Sequence, residues 1–480
     1  MNPEILWTAA QAAVATGGKS VGNWQASGVS IDSRSVGAGD LFVALTGDTH
    51  DGHDFVADAL KRGAAAAVVA RVPMGLPAGA PLLLVKHTLE ALNGLGRIAR
   101  ARATAKVVAV TGSVGKTGTK EMLRLALTGN GRTYASAGNL NNQFGLPLSL
   151  ARLPREAQFA VFEIGMNHAG EIEPLSKLAR PNVALITNVE PVHLEFFDSV
   201  EAIADAKAEI FAGMDRAGVA VLNRDNRHFD RLAEAALRRG VGNVIDFGRH
   251  ADARYRLIDC SVGSGETRVT AALASRRHGY TIGAEGRHWA INSLGVLAAA
   301  DALGADLGAA AAALAGMSAP KGRGQRLNVT LPGGALELID DSYNASPPAM
   351  GAAFAVLAGR PIGVGGRRIA VLGDMLELGK AAPQLHQELA TEIDALGIDL
   401  VFACGPNMAF LVDALPARRR GGHAADSTAL IPIVTPALRA GDVVLVKGSL
   451  GSRMGPVMQA IAALGSAKPG EPPRRVVNGG

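Results

Sequence analysis

Lys116 and Thr117 follow directly on a short glycine turn, Gly112-Ser113-Val114-Gly115, and Gly118 comes next. An ammonium and a hydroxyl at the mouth of such a turn suit phosphate chemistry. The glycines let backbone N–H groups curl around an anion, the lysine reaches terminal phosphates, and the threonine hydroxyl can hold Mg²⁺. The turn is shorter than the usual G-x-x-x-x-G-K-[ST]: Val110 stands where the first glycine belongs. Glu163 closes the apolar run 158–164, the edge of a strand where Mg²⁺ is normally held beside a phosphate loop. His193 also lies past a strand end, after Val183 to Thr187. Lys207 falls on the apolar stripe of Val200, Ile203, Ile210 and Phe211. Either its stem snorkels to water or its ammonium faces a site, because burying an unpaired ammonium is costly.

These residues need elements to carry them. The β-branched run Val107–Val110 reads as a buried parallel strand. Met122, Leu123, Leu125 and Leu127 mark a helix after the turn, and Asp198 with Glu201 suits an N-terminal capping box for the Lys207 helix. Gly286 to Asn292 opens an alanine-rich helix. In the C-terminal third, strands end in Asp340 to Asn344, Gly373-Asp374-Met375, Cys404-Gly405 and Lys447-Gly448-Ser449. Strand ends loaded in this way read as an open doubly wound sheet. The pattern therefore divides into a small α/β domain over 1–86, a nucleotide-binding domain over 87–325 with Pro320–Gln325 as its hinge, and an α/β domain over 326–465. A polar tail over 466–480 is expected to be disordered. The clusters Asp32-Ser33-Arg34, Asp51 to Phe55 and Gly138 to Asn142 are each a solvated turn or a site.

Composition excludes several classes. The chain has 480 residues, 48% hydrophobic and 19% charged, which is enough for more than one core. Aromatics at 4% and a net charge of +5 without a basic block argue against nucleic acid as partner. Cys260 and Cys404 form neither a metal spacing nor a disulfide framework. No apolar run reaches membrane-spanning length and the first residues do not read as a signal peptide, so the expected compartment is cytoplasmic.

Six stretches in order, AGNLNNQFGLP, EIGMNHAGEI, AKAEIF, DDSYNASP, GDMLELG and LVKGS, give the chain a resemblance to the ATP-dependent Mur ligases of peptidoglycan synthesis. The resemblance covers all but the tail, and the short loop fits that family's TGSxGKT. It implies an α/β fold of three domains: a central P-loop parallel-sheet ATPase domain, a small N-terminal α/β domain and a C-terminal Rossmann-like α/β domain. It implies ATP and Mg²⁺, with UDP-N-acetylmuramoyl-tripeptide and D-alanyl-D-alanine as substrates, joined through an acyl phosphate by a monomer.

The resemblance also implies roles. Gly112, Ser113, Val114, Gly115, Lys116, Thr117 and Gly118 would cradle ATP, and Lys116, His193 and Lys207 would be catalytic. Thr117 and Glu163 would hold one Mg²⁺. His193 and a carbamylated Lys207 would hold a second. Asn292 would contact the adenine side, Arg323 the phosphates and Asp341 the ribose. Asp32, Ser33 and Arg34 would bind the UDP-sugar, and Asn139, Asn141 and Asn142 the substrate near the loop. With the first domain so assigned to UDP and the second to ATP, the strand-end clusters 341–344, with Asn344, and 373–376 are expected to take the acceptor dipeptide. Gly118, where Ser or Thr is frequent, should only soften the helix start. A folylpolyglutamate synthase would lack the N-terminal UDP-sugar domain, and a nucleic-acid-stimulated ATPase would hydrolyse ATP without amino-acid substrates.

Overall fold

Short valine-, leucine- and alanine-rich runs become buried parallel strands, because covering both faces of a sheet with helices demands apolar residues on both. The computed structural model describes residues 4–47, 49–263, 265–274 and 276–466, so the expected tail beyond Ser466 lies outside the described residues. The chain divides into one unit of residues 1–189 with 201–317 and another of 190–200 with the chain from Ser318 onward. The expected hinge at 320–325 thus belongs to the second unit, as does the short segment carrying His193.

In the first unit, β1 (Lys19–Val21), β2 (Gly28–Ser30), β3 (Asp40–Val43), β4 (Ala66–Val69) and β5 (Leu82–Leu84) form a sheet in the order β1-β5-β4-β3-β2. Only the β1–β5 pair is antiparallel. Trp7 is fully buried beside it, and its indole N–H donates to Ala151 O at 2.9 Å.

The larger sheet of this unit contains β6 (Lys106–Thr111), β7 (Thr133–Ala135), β8 (Phe159–Glu163), β9 (Val183–Ile186), β10 (Val219–Asn223), β11 (Asn243–Gly248), β12 (Tyr255–Gly263), β13 (Glu266–Leu273) and β14 (Arg276–Ile282). Their order is β14-β13-β12-β11-β10-β9-β6-β8-β7. Pairs from β7 to β12 are parallel, while β13 and β14 add an antiparallel extension that the expected parallel sheet did not include. Its helices include α1 (Lys116–Thr128), α2 (Val200–Ala208) and α3 (Arg287–Ala302). Alanines at 290 and 298–300 are fully buried, and small side chains let α3 share one apolar cluster with Met122, Leu123 and Ala126 of α1.

In the second unit, β15 (Gln325–Leu331), β16 (Gly334–Asp341), β17 (Arg368–Gly373), β18 (Leu400–Cys404), β19 (Arg420–Ala424) and β20 (Val443–Lys447) form a sheet in the order β15-β16-β20-β17-β18-β19. It is parallel apart from the β15–β16 hairpin. Ala370 and Leu372 enter one apolar cluster and Ile369 and Val371 another. That period of two is the mark of a strand buried on both faces. Helices α4 (Pro347–Ala358), α5 (Ala382–Ala395) and α6 (Met408–Ala414) follow β16, β17 and β18. Among the described residues, no helix is long and apolar enough to cross a membrane.

Candidate active site

The glycine turn runs from the end of β6 into α1, with Gly112 at φ 146° and Gly115 at φ 86°, a region that side chains with a Cβ rarely enter. Space also forbids a side chain: a Cβ on Gly112 would lie 1.9 Å from Thr187 Oγ1, and one on Gly115 would lie 2.7 Å from Asn292 Nδ2. Asn292 therefore sits against the loop itself. Lys116 Nζ donates to Gly112 O at 2.7 Å and Ser113 O at 3.3 Å, so it folds back over the turn. The neighbouring strand end grips the loop. Val114 N–H donates to Asn188 Oδ1 at 3.0 Å, Ser113 N–H to Asn188 O at 3.1 Å, and the Thr187 hydroxyl to Val114 O at 2.7 Å.

Register places Glu163 opposite Val110, one strand away from the loop. The Thr117 hydroxyl donates to Glu163 Oε2 at 2.9 Å, and Asn141 Nδ2 donates to Oε1 at 2.8 Å. Thr117 and Glu163 are thus brought together, and Asn141, expected only to contact substrate near the loop, joins them. A carboxylate and a hydroxyl this close are hard oxygen donors of the kind Mg²⁺ takes. Among the described residues, no group of three or more His, Cys, Asp and Glu side chains is arranged to hold a metal. The Asn142 side chain instead accepts the Gly145 N–H at 3.0 Å and shapes the local turn.

Lys207 of α2 does not snorkel. It is 2% exposed, and burial first, with the Lys116 charge second, holds its amine well below the ordinary lysine range. Two residues on, Glu209 Oε1 accepts Gly170 N–H at 2.7 Å and Oε2 accepts Ile172 N–H at 3.1 Å. The stretch AKAEIF is thereby tied to the end of EIGMNHAGEI by charge-assisted hydrogen bonds to backbone N–H groups.

Gly118 departs from its expected role. It is buried, and a Cβ there would meet the Trp289 ring at 2.6 and 2.7 Å. The glycine makes room for an indole that packs against α1; it does more than loosen the helix start. In the N-terminal sheet region, Arg34 pairs with Asp32 through Nε at 3.0 Å and Nη2 at 2.8 Å, and Asp32 also accepts Arg34 N–H at 2.9 Å. Ser33 lies within this turn, half-buried.

The second unit carries the other expected residues. His193 Nδ1 is hydrogen-bonded to Glu377 Oε2, and both residues are in the left-handed region at φ 57° and 61°. Arg323 lies 4.2 Å over the Tyr343 ring. Asp341 Oδ2 is 2.6 Å from Lys447 Nζ, which is 3% exposed and also donates to Asn344 O at 2.9 Å. Asp374 corrects an expectation. Its buried carboxylate accepts Met408 N–H at 2.9 Å and Asn407 N–H at 3.2 Å, capping α6, and is unavailable to an acceptor ammonium. His386, also buried, accepts Met375 N–H on Nε2 at 2.9 Å and donates from Nδ1 to Ala382 O at 2.6 Å.

Comparison with known proteins bears on the whole chain. The Mur ligase family catalytic domain matches residues 25–99, the Mur ligase middle domain 110–300, and the Mur ligase glutamate ligase domain 322–450. The UDP-N-acetylmuramoyl-tripeptide--D-alanyl-D-alanine ligase of Rickettsia prowazekii is 34% identical over 450 residues, covering 94% of this chain and 98% of the relative. The chain belongs to the Mur ligase family. MurF from Acinetobacter baumannii, a crystal structure, is 30% identical with a TM-score of 0.83, over 96% of this chain and 100% of that one. The MurF ligase from Thermotoga maritima in complex with ADP is 28% identical with a TM-score of 0.75, over 92% and 98%.

Within this Mur ligase chain, sequence reasoning passed over Lys120, Thr187, Asn188 and Trp289. Lys120 is fully buried, and its Nζ donates to Ser136 O at 2.8 Å and Gly138 O at 3.0 Å. It fastens α1 to the chain leading into the Asn139–Asn142 turn. As Lys-Glu one turn into a helix it reads like a solvated pair, and Glu121 Oε1 does lie 3.1 Å away. A two-residue polar step after an apolar strand was the available signal for Thr187 and Asn188.

Proposed function

We infer that this protein is an ATP-dependent amide ligase that joins D-alanyl-D-alanine to a UDP-N-acetylmuramoyl-tripeptide during peptidoglycan precursor synthesis. The observation that carries the reading is the arrangement around the loop: Lys116 over the turn, and Thr117 and Asn141 both donating to the Glu163 carboxylate. A relative of near-equal length bearing that ligase name supports it.

In the proposed reaction an oxygen of the tripeptide's terminal carboxylate bonds to the ATP γ-phosphorus, and ADP leaves. The amine of the dipeptide then bonds to the acyl carbon, phosphate departs with the C–O electron pair, and the amine loses a proton. Lys116 stabilises charge on the transferring group. Thr117 and Glu163 are the residues that would hold Mg²⁺, which when bound neutralises phosphate charge. Burial favours a neutral Lys207 amine, the form able to add CO₂ and lose a proton to become a carbamate; such a carbamate and, separately, His193 are proposed as cation-supporting groups. Residues 1–86, with Asp32, Ser33 and Arg34, are assigned to the UDP-sugar. Residues 87–325, with Asn292, Asn139, Asn141 and Asn142, are assigned to ATP and the peptide end. Residues 326–465, with Asp341 and Asn344, are assigned to ribose and acceptor, and Arg323 to phosphate. A cytoplasmic monomer is the proposed working form.

The test is product formation, read by mass, with UDP-N-acetylmuramoyl-tripeptide, ATP and matched concentrations of D-alanyl-D-alanine, D-alanine or L-alanyl-L-alanine. The dipeptide of D-residues is expected to be joined far faster, since a site built for particular groups rejects analogues that leave them unpaired. Equal joining of a single amino acid would overturn the acceptor assignment, and hydrolysis without any acceptor or UDP-peptide would overturn the ligase reading.

A further inference from the structure

We propose that Thr187 and Asn188 are positioning residues that set nucleotide affinity by bracing the phosphate loop from the neighbouring strand. The proposal rests on the nucleotide-binding reading of that loop. The loop is shortened and bears a valine between its glycines; within it Lys116 Nζ ties Gly112 O and Ser113 O, which leaves Val114 to its neighbours. At Val114 both peptide groups are held from outside: the N–H by Asn188 Oδ1 at 3.0 Å and the carbonyl by the Thr187 hydroxyl at 2.7 Å. Ser113 N–H is held by Asn188 O at 3.1 Å.

The brace is itself held in place. Asn223 Nδ2, from the end of β10, donates to Thr187 O at 3.0 Å, and Asn226 Nδ2 donates to Val189 O at 2.9 Å. Gly112 matches Thr187 in turn, since any Cβ there would collide with its hydroxyl. Thr187 is 1% exposed, so it acts through the loop and not on a ligand directly. A loop ordered beforehand binds an anion without the entropic cost of ordering it at binding.

The experiment compares Thr187→Val, Thr187→Ser and Asn188→Ala with the wild type by ADP calorimetry, by KM for ATP and for UDP-peptide, and by melting without nucleotide. Losing one such hydrogen bond is expected to weaken ADP binding and raise the ATP KM about tenfold. The UDP-peptide KM should stay within about twofold, and Thr187→Ser, which keeps the hydroxyl, should restore ADP affinity. A merely structural role would move melting and both KM values together, and that result overturns the proposal, as does wild-type ADP affinity in Thr187→Val and Asn188→Ala. If Thr187→Val does not fold, half-buried Asn188→Ala decides alone. Failure of the wild type to bind ADP at all is a different outcome: it removes the nucleotide reading, and the brace with it.

Discussion

Two sheets in this molecule present polar residues at the carboxyl ends of buried strands, and they use them differently. At the end of β8, Glu163 is met by side chains, the Thr117 hydroxyl and the Asn141 amide, which can turn toward an incoming ligand. At the end of β17, Asp374 is met by the backbone N–H groups of Asn407 and Met408 at the start of α6, which cannot, with the Asn407 side-chain amide farther off at 3.3 Å. Gly405 makes the second arrangement possible, since a Cβ there would lie 2.5 Å from the Asp374 carboxylate. The first acid is held by side chains and is proposed as a site; the second is held by the start of the next helix and fastens it.

The sharpest way to break this contrast is at the central sheet. Lys116→Ala is expected to lower kcat about 10²–10³-fold with melting unchanged, because its ammonium acts on developing charge. Lys207→Ala should be comparably poor and partly rescued by small carboxylic acids. Turnover close to wild type in either variant would remove the site from this edge.

A smaller effect is expected at the other sheet. Asp374→Ala should cost about 1–2 kcal/mol of stability through the lost cap, read by urea unfolding, while turnover per folded molecule stays near wild type. Lost turnover at unchanged stability would make Asp374 part of the site after all.

The smallest effect concerns His386, whose neutral ring accepts the Met375 N–H beside Asp374. Burial holds its pKa below the ordinary histidine value. Between the depressed and the ordinary value the unfolded chain binds a proton that the native state does not, so stability is full above about pH 6.5 and falls as pH drops through it. Urea midpoints at pH 7.5 and 5.5 should differ less in His386→Gln than in wild type. An unchanged difference would mean that His386 is no part of the fastening.

How much of this was legible follows the same division. The strand, turn and helix around Lys116 could be read because a β-branched run, glycines and an apolar helix stripe agree locally. Lys207 was legible as an anomaly, a cation on an apolar stripe, but only packing decided which way it points. The extension β12–β14 was not read. Its middle strand β13 alternates, with Thr267, Val269, Ala271 and Leu273 buried, which is a different signal from the continuous apolar runs of the parallel strands. Asp374 and Lys120 were illegible in function because the contacts that fasten them across the fold are mostly to backbone atoms, which carry no residue identity to find in a sequence.

The indole that Gly118 admits has an optical consequence. The chain's tryptophans are Trp7, Trp24 and Trp289, and the first two belong to the N-terminal apolar cluster. Trp289 alone lies against the helix that begins with Lys116 and Thr117, and it is 5% exposed. Its fluorescence is therefore a native gauge of that helix. With Trp7 and Trp24 replaced by phenylalanine, emission would come from one known place, against the turn where the phosphates are proposed to sit, with no dye attached.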